Sequence, residues 1–222
     1  MTEEMMTGVP QPTLRRLPSY LALLKRLETE GIDRVSCPMI ATELGLDPTQ
    51  VRKDIAATGI EGRAKVGYQL AELVRAIERF LGWDNVTCAF LAGAGHLGTA
   101  LMGYEGFRGY GLSIVAAFDS DPAKIGTRIC GKEVFPIERL PELAMRMHIH
   151  VGVLTVPAER AQAVAEMMAT GGIRAILNFA PAALRLPPPM IIENVNLASN
   201  LAVLSSKLAA SLRATGDSEI TG

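Results

Sequence analysis

The 222-residue sequence predicts an α/β protein in two parts, a small helical domain followed by a doubly wound parallel sheet. Three observations predict it. Up to about residue 82, apolar side chains recur at helical steps of three and four. Beyond about residue 85, short apolar runs alternate with amphipathic helix patterns, and one of those runs opens into a G-x-G-x-x-G turn. The composition, 49% hydrophobic and 20% charged, supports a sizeable core and excludes a disordered or collagen-like chain. A formal net charge of −1 leaves any nucleic-acid function to a local motif. No apolar run approaches the ~18 residues of a membrane span. Met1 to Gly8 carries Glu3 and Glu4 and lacks the pattern of a secretory signal, so the expected compartment is the cytoplasm. Cys37, Cys88 and Cys130 are dispersed, odd in number and form no C-x-x-C, which reads as buried or incidental thiols and no metal site.

The helical part is justified element by element. Leu14, Leu17, Leu21, Leu24 and Leu27 form one helix stripe, with Gly31 as its stop. Pro18 lacks a backbone donor, so this helix either kinks there or begins its regular part there. Ser36 caps a short helix ending at Gly45. Asp47 caps the next, with Pro48 in its first turn and Gln50 completing a capping box, and this helix runs to about Ala57 with Gly59 as its stop. Val51 and Ile55 face inward, leaving Thr49, Gln50, Arg52 and Lys53 to point elsewhere. Two short helices around a turn at Gly45 make a helix-turn-helix candidate. The segment from Gly59 to Tyr68, with Gly59, Gly62, Gly67, Arg63 and Lys65, lies where a winged helix places its wing. A helix from Leu70 to Phe80 closes the domain. Residues 1–82 hold eleven basic and eleven acidic side chains, so the basic patch is small, and composition alone favours a solvated helix face plus a surface loop over a DNA-binding surface.

The second part, residues 83–196, starts with a strand from Val86 to Ala92 that leads into Gly93-Ala94-Gly95-His96-Leu97-Gly98 and a helix. A second strand, Leu112 to Phe118, ends at Asp119, 21 positions beyond Gly98, with Ser120 beside it. Strand, glycine turn, helix, strand and acid in this order form the dinucleotide fingerprint of a Rossmann domain. The first glycine makes the turn, the second admits a pyrophosphate to the backbone, and the third lets helix and strand pack closely. Asp119 is placed to accept bonds from the adenosine ribose and to repel a 2′-phosphate, which favours NAD(H) over NADP(H). His96 lies inside the turn and covers the pyrophosphate region. Further strands are expected at Ile149 to Val156, Ile173 to Asn178 and Met190 to Asn196, and helices at Pro136 to Met147 and Pro157 to Thr170. The loops Thr155-Val156-Pro157 and Asn178-Phe179-Ala180-Pro181 follow strand ends and are candidates for the nicotinamide side. A last helix, Leu197 to Leu212 within a C-terminal segment 197–222, carries Leu197, Leu201, Leu204 and Leu208, a stripe that packs either in the chain's own core or on a second subunit; the tail beyond it is polar and expected to fray.

A dinucleotide fold invites a search for a catalytic acid or base, and none stands out. There is no Y-x-x-x-K, no G-x-S-x-G and no metal-ligand spacing, and His148 and His150 read as a strand edge. A helical domain with a basic turn joined to a dinucleotide domain without visible catalytic groups suggests a sensor. Two other readings are a dehydrogenase with an unrecognised acid or base, and a nucleotide-binding module, for example for CoA, without DNA affinity.

Leu14-Arg15-Arg16-Leu17-Pro18, Val51-Arg52-Lys53-Asp54, Val66-Gly67-Tyr68, Gly93 to Gly98, Phe118-Asp119, Asp121-Pro122, Thr155-Val156-Pro157-Ala158 and Asn178-Phe179-Ala180-Pro181 carry a resemblance that covers nearly the whole chain. In their order and spacing the sequence resembles the Rex family of redox-sensing transcriptional repressors. The resemblance implies a homodimer with an N-terminal winged helix, a Rossmann domain that senses NADH against NAD, and a C-terminal helix swapped onto the partner subunit. It implies binding to palindromic operator DNA when NADH is low, and release when NADH binds. By similarity Arg52 and Lys53 lie on the recognition helix, with Ser36, Thr49 and Gln50 near it, and Arg16, Arg63 and Lys65 are candidate phosphate or minor-groove contacts. Tyr104 resembles the family tyrosine near the nicotinamide. Thr58-Gly59 stands where many members have an aromatic-glycine pair, and Lys65 where glycine is frequent. Asn196 stands where some members carry a switch aspartate, so the switch here either uses hydrogen bonds or responds differently.

Overall fold

The computed structural model describes residues 9–63 and 66–216 and divides them into two compact units, Met1–Val86 with Gly109–Gly111, and Thr87–Arg108 with Leu112–Gly222. The division comes slightly later than the sequence break. Trp83 packs on the helical core and its ring lies 4.8 Å from that of Tyr110, which keeps both segments with the first unit.

The first unit runs α1 (Gln11–Thr29), β1 (Arg34–Val35), α2 (Cys37–Leu44), α3 (Pro48–Ala57), β2 (Tyr68–Gln69) and α4 (Leu70–Phe80). Helix α1 runs on through Pro18, so the regular helix does not begin there; it starts about two turns earlier, at Gln11, with Pro12 in its first turn. The predicted caps form. Ser36 accepts from the Met39 amide, Gly45 closes α2 in the left-handed conformation, and Asp47 accepts from the amides of Thr49 and Gln50. The capping box forms only by half, because the Gln50 amide donates to Asp54 at 3.0 Å. Strands β1 and β2, too short to show a sequence period, pair antiparallel. Gly67, at φ +80°, faces Val35 so closely that a Cβ would collide with the Val35 carbonyl, so this start of β2 requires glycine. The core gathers Leu17, Tyr20, Leu24, Ile40, Val51, Ile55, Leu73 and Ile77, each without measurable exposure.

The second unit is a seven-stranded sheet made of β3 (Thr87–Ala92), β4 (Leu112–Asp119), β5 (Arg128–Ile129), β6 (Lys132–Pro136), β7 (Val151–Leu154), β8 (Ala175–Asn178) and β9 (Ile191–Asn194). Its order is β5-β6-β4-β3-β7-β8-β9. All neighbours are parallel except β5 and β6, which form an antiparallel hairpin. The helices are α5 (His96–Gly103), α6 (Gly106–Gly109), α7 (Leu140–Met147), α8 (Ala158–Thr170) and α9 (Leu197–Gly216), with a 3-10 turn at Ile137–Arg139. The predicted helix from Pro136 therefore opens as a 3-10 turn and becomes regular at Leu140. Alternate residues of β3 serve opposite faces. Phe90 and Ala92 join a core with Leu143, Val164 and Met168 of α7 and α8, and Ala89 and Leu91 join one with Met102 of α5. Asn196 accepts from the Ser199 amide at 3.1 Å and so caps α9. This last helix extends past Leu212 to Gly216, further than the polar tail suggested. Its leucine stripe is exposed rather than packed in the chain's own core.

Candidate functional site

The glycine turn lies at the topological switch of the sheet, where β3 separates β4 from β7. Each glycine does distinct work. Gly93 has φ +101°, and a Cβ there would sit 2.7 Å from the Thr155 carbonyl oxygen. A Cβ on Gly98 would strike the Gly93 carbonyl, so α5 packs on the turn through bare backbone. A Cβ on Gly95 would meet open space, which leaves the backbone approachable from outside. Thr155 ties the two strand ends together: its amide donates to Ala92 at 2.9 Å, and its hydroxyl reaches the carbonyls of Ala92 and Gly93 at 3.0 and 2.8 Å.

A cleft of about 830 Å³ opens at this switch point, lined by Gly93, Gly95 and Leu97, by Asp119 and Ser120, and by Thr155, Val156, Pro157 and Phe179. Of the other expected cofactor residues, Ala94 and Gly98 are buried under the turn and His96 is exposed at the start of α5. Asn178 is buried and organises its loop. Its amide donates to Ala182 and Asn194, and its carbonyl accepts from the Ala180 amide, which presents Phe179 to the cleft. Tyr104 does not line this cleft. Helix α5 ends at Gly103, and the Tyr104 ring lies edge-on to Phe107 at 5.1 Å, beside a separate cleft of about 540 Å³ shared with Arg108, Cys130 and Lys132.

Asp119 occupies the expected place at the end of β4, and its oxygens already have partners. One accepts from the Ala94 amide at 2.8 Å and from Lys124 at 3.1 Å; the other accepts from the Asp121 amide at 2.9 Å. Burial pushes this carboxyl up, and the Asp121 amide, the Lys124 ammonium and the Ala94 amide outweigh burial and hold it below the usual carboxylate range. Lys124, Glu138 and Arg160 also line the cleft and were not anticipated. The Asp121-Pro122 turn after the second strand was the available signal for Lys124.

In the first unit α3 presents Thr49, Arg52 and Lys53 to solvent, with Gln50 half-buried. Arg63 is exposed and bridges to Gly67 in the loop that follows α3, while Lys65 lies outside the described residues. Ser36 is half-buried and committed to its cap. Arg16 is half-buried and held by Asp54. Its Nε and one Nη donate to Asp54 at 2.7 and 2.8 Å, and Thr13, Tyr20 and Gln50 donate to the same carboxylate at 2.9, 2.6 and 3.0 Å. Burial pushes Asp54 up, but these donors hold it at about 2. Sequence reading missed this hub, although Asp54 shares the inward stripe of Val51 and Ile55.

Residues 84–182 match the family model for a CoA binding domain, and residues 8–56 match the model described as "Putative DNA-binding protein N-terminus". The redox-sensing transcriptional repressor Rex of Treponema denticola is 45% identical over 193 residues, which is 87% of this chain and 92% of that one. The Rex repressor of Bacteroides fragilis is 42% identical over 202 residues, 91% of this chain and 92% of its own. The crystal structure of RSP with β-NAD+ and operator DNA superposes with a TM-score of 0.86 at 31% identity, covering 96% of this chain and 99% of that one. RSP with β-NADH gives 0.85 at 31% identity, over 94% and 98% of the two chains. On this identity, coverage and architecture, the chain belongs to the Rex family of redox-sensing transcriptional repressors.

Proposed function

We propose that this protein is a DNA-binding repressor that reads the ratio of NADH to NAD, holding a palindromic operator when NADH is low and leaving it when NADH binds. The carrying observation is the pairing, in one chain, of a helix-turn-helix whose α3 exposes Arg52 and Lys53 with a glycine-turn cleft at the switch point of a parallel sheet. The residues present fit a dinucleotide: the face of Gly95 is open, and Asp119 stands at the strand end where a ribose is read. Gly93, Gly95, Leu97, Asp119, Ser120, Thr155, Val156, Pro157 and Phe179 would hold it, with Asn178 and Ala180 shaping their loop. NADH and NAD+ differ at the nicotinamide, which is neutral when reduced and cationic when oxidised. In the homodimer we propose, two α3 helices engage half-sites about 34 Å apart or a multiple of it. A protomer arrangement that favours NADH then loses one spacing for another, and the cofactor is a signal rather than a reagent. The protein is therefore a cytoplasmic regulator and not an enzyme. Tyr104, Arg16, Arg63 and Lys65 remain proposed contributors to the nicotinamide side and the DNA face.

Fluorescence anisotropy of a labelled palindromic operator tests the reading. Tight binding reversed by NADH, and by NADPH only at much higher concentration, supports it; binding unchanged by NADH rejects the sensor. Sustained NADH oxidation with a small carbonyl substrate would instead favour a dehydrogenase. The match of residues 84–182 to a CoA binding domain supports a second reading, in which CoA outcompetes NADH for the cleft.

A further inference from the structure

The chain after Asp119 folds back over it. Asp121 makes a tight turn with Pro122, its side chain accepting from the Ala123 amide at 2.9 Å and its carbonyl from the Lys124 amide at 3.0 Å. That turn returns the Lys124 ammonium to Asp119 at 3.1 Å and places it 3.7 Å from Asp121. Asp119 is only 10% exposed and Lys124 36% exposed, and both line the cleft beside Ser120. The acid that would reject a ribose phosphate is thus half of an ion pair. An ammonium has three donors, and the bond to Asp119 uses one.

We infer that Lys124 is a specificity-determining residue of the cleft: it offsets the charge of Asp119 and offers a donor beside the ribose position, softening the rejection of dinucleotides with a phosphorylated adenosine ribose. This inference rests on the dinucleotide reading. It does not make NADPH the preferred ligand, because Asp119 keeps its own charge and its backbone partners. It means that the margin between NADH and NADPH is set by two side chains of opposite sign. Removing the cation exposes a phosphate dianion to an uncompensated carboxylate at close range in a partly buried cleft, whereas ribose hydroxyls lose one neutral-to-charged hydrogen bond at most.

The experiment titrates full-length protein with NADH and with NADPH, using Lys124→Met, Lys124→Gln and Lys124→Arg, each checked for an unchanged thermal transition. The wild type should bind NADPH measurably but more weakly than NADH. The Met and Gln variants should lower NADPH affinity about tenfold more than NADH affinity. The Arg variant should restore the wild-type ratio, a rescue that a purely structural lysine would not deliver. Equal losses for both cofactors in the Met and Gln variants overturn the inference while leaving the dinucleotide reading intact, and so does a wild type indifferent to millimolar NADPH. A wild type that binds neither cofactor overturns both.

Discussion

Asp54 is a charge inside a helix face built for apolar side chains, tolerated because four neighbours satisfy it. With its side chain fully buried, the five donated bonds from Thr13, Arg16, Tyr20 and Gln50 replace water. Asp54→Asn leaves the half-buried Arg16 facing a neutral group and takes an acceptor from Thr13 and Tyr20, and should destabilise the first unit by about 3 kcal/mol, read as a lower urea midpoint. The pH dependence follows from its depressed pKa. The carboxylate is held at about 2 in the fold against an ordinary value of 3.8, so it contributes roughly 2 kcal/mol that is complete above pH 4 and is lost as pH falls through 2. Acid titration of the wild type should show that loss, and the Asn variant should not. At this scale the sequence disclosed what is local and hid what is distant. Gly93, Gly95, Gly98 and Asp119 are legible because a turn and a strand end fix their neighbours along the chain. Thr13, Arg16 and Tyr20 lie 34 to 41 positions from Asp54, and no spacing rule reaches them.

Helix α3 has two faces with separate duties. Val51, Asp54 and Ile55 anchor it to the core, and Arg52 and Lys53 are left exposed. Arg52→Ala and Lys53→Ala should each weaken operator binding by about tenfold or more and flatten its salt dependence, with NADH affinity spared. Anisotropy across a salt series, beside an NADH titration, checks this; unchanged operator affinity would remove α3 from the interface. The main elements were legible because each carried its period and its caps. Those missed were short or non-periodic. The β1–β2 pair spans two residues a side, and the β5–β6 hairpin turns at Cys130-Gly131 with β5 only two residues long, so no alternation can show. In α1 the later start at Pro18 fails for a different reason. Proline costs one backbone bond and about 3 kcal/mol, and the core stripe of Leu17, Tyr20, Leu21 and Leu24 outweighs that cost.

The whole molecule has an unfinished surface on α9. Leu197, Leu201, Leu204, Leu208 and Leu212 are each 56–67% exposed along one helix. Burying a leucine contributes roughly 1.5–3 kcal/mol, so a stripe of five is worth far more covered than wet. A second copy of the chain is the occupant that the proposed function calls for, because a palindromic operator would be read by two α3 helices at fixed spacing. Truncation after Asn196 should therefore give monomers by analytical ultracentrifugation, with operator affinity lost and the Rossmann unit still folded. A stable dimer after that cut would locate the interface elsewhere. The proposed dimer also sets a thermodynamic constraint on the intact protein. If NADH weakens operator binding by some factor, operator must weaken NADH binding by the same factor, an effect of order 5–150-fold for couplings of about 1–3 kcal/mol. Titrating NADH into free and operator-bound dimer, and operator into free and NADH-bound dimer, closes that cycle. Unequal factors would mean that the species titrated are not two states of one dimer. Equal factors would establish that NADH and operator bias the same two states of one dimer.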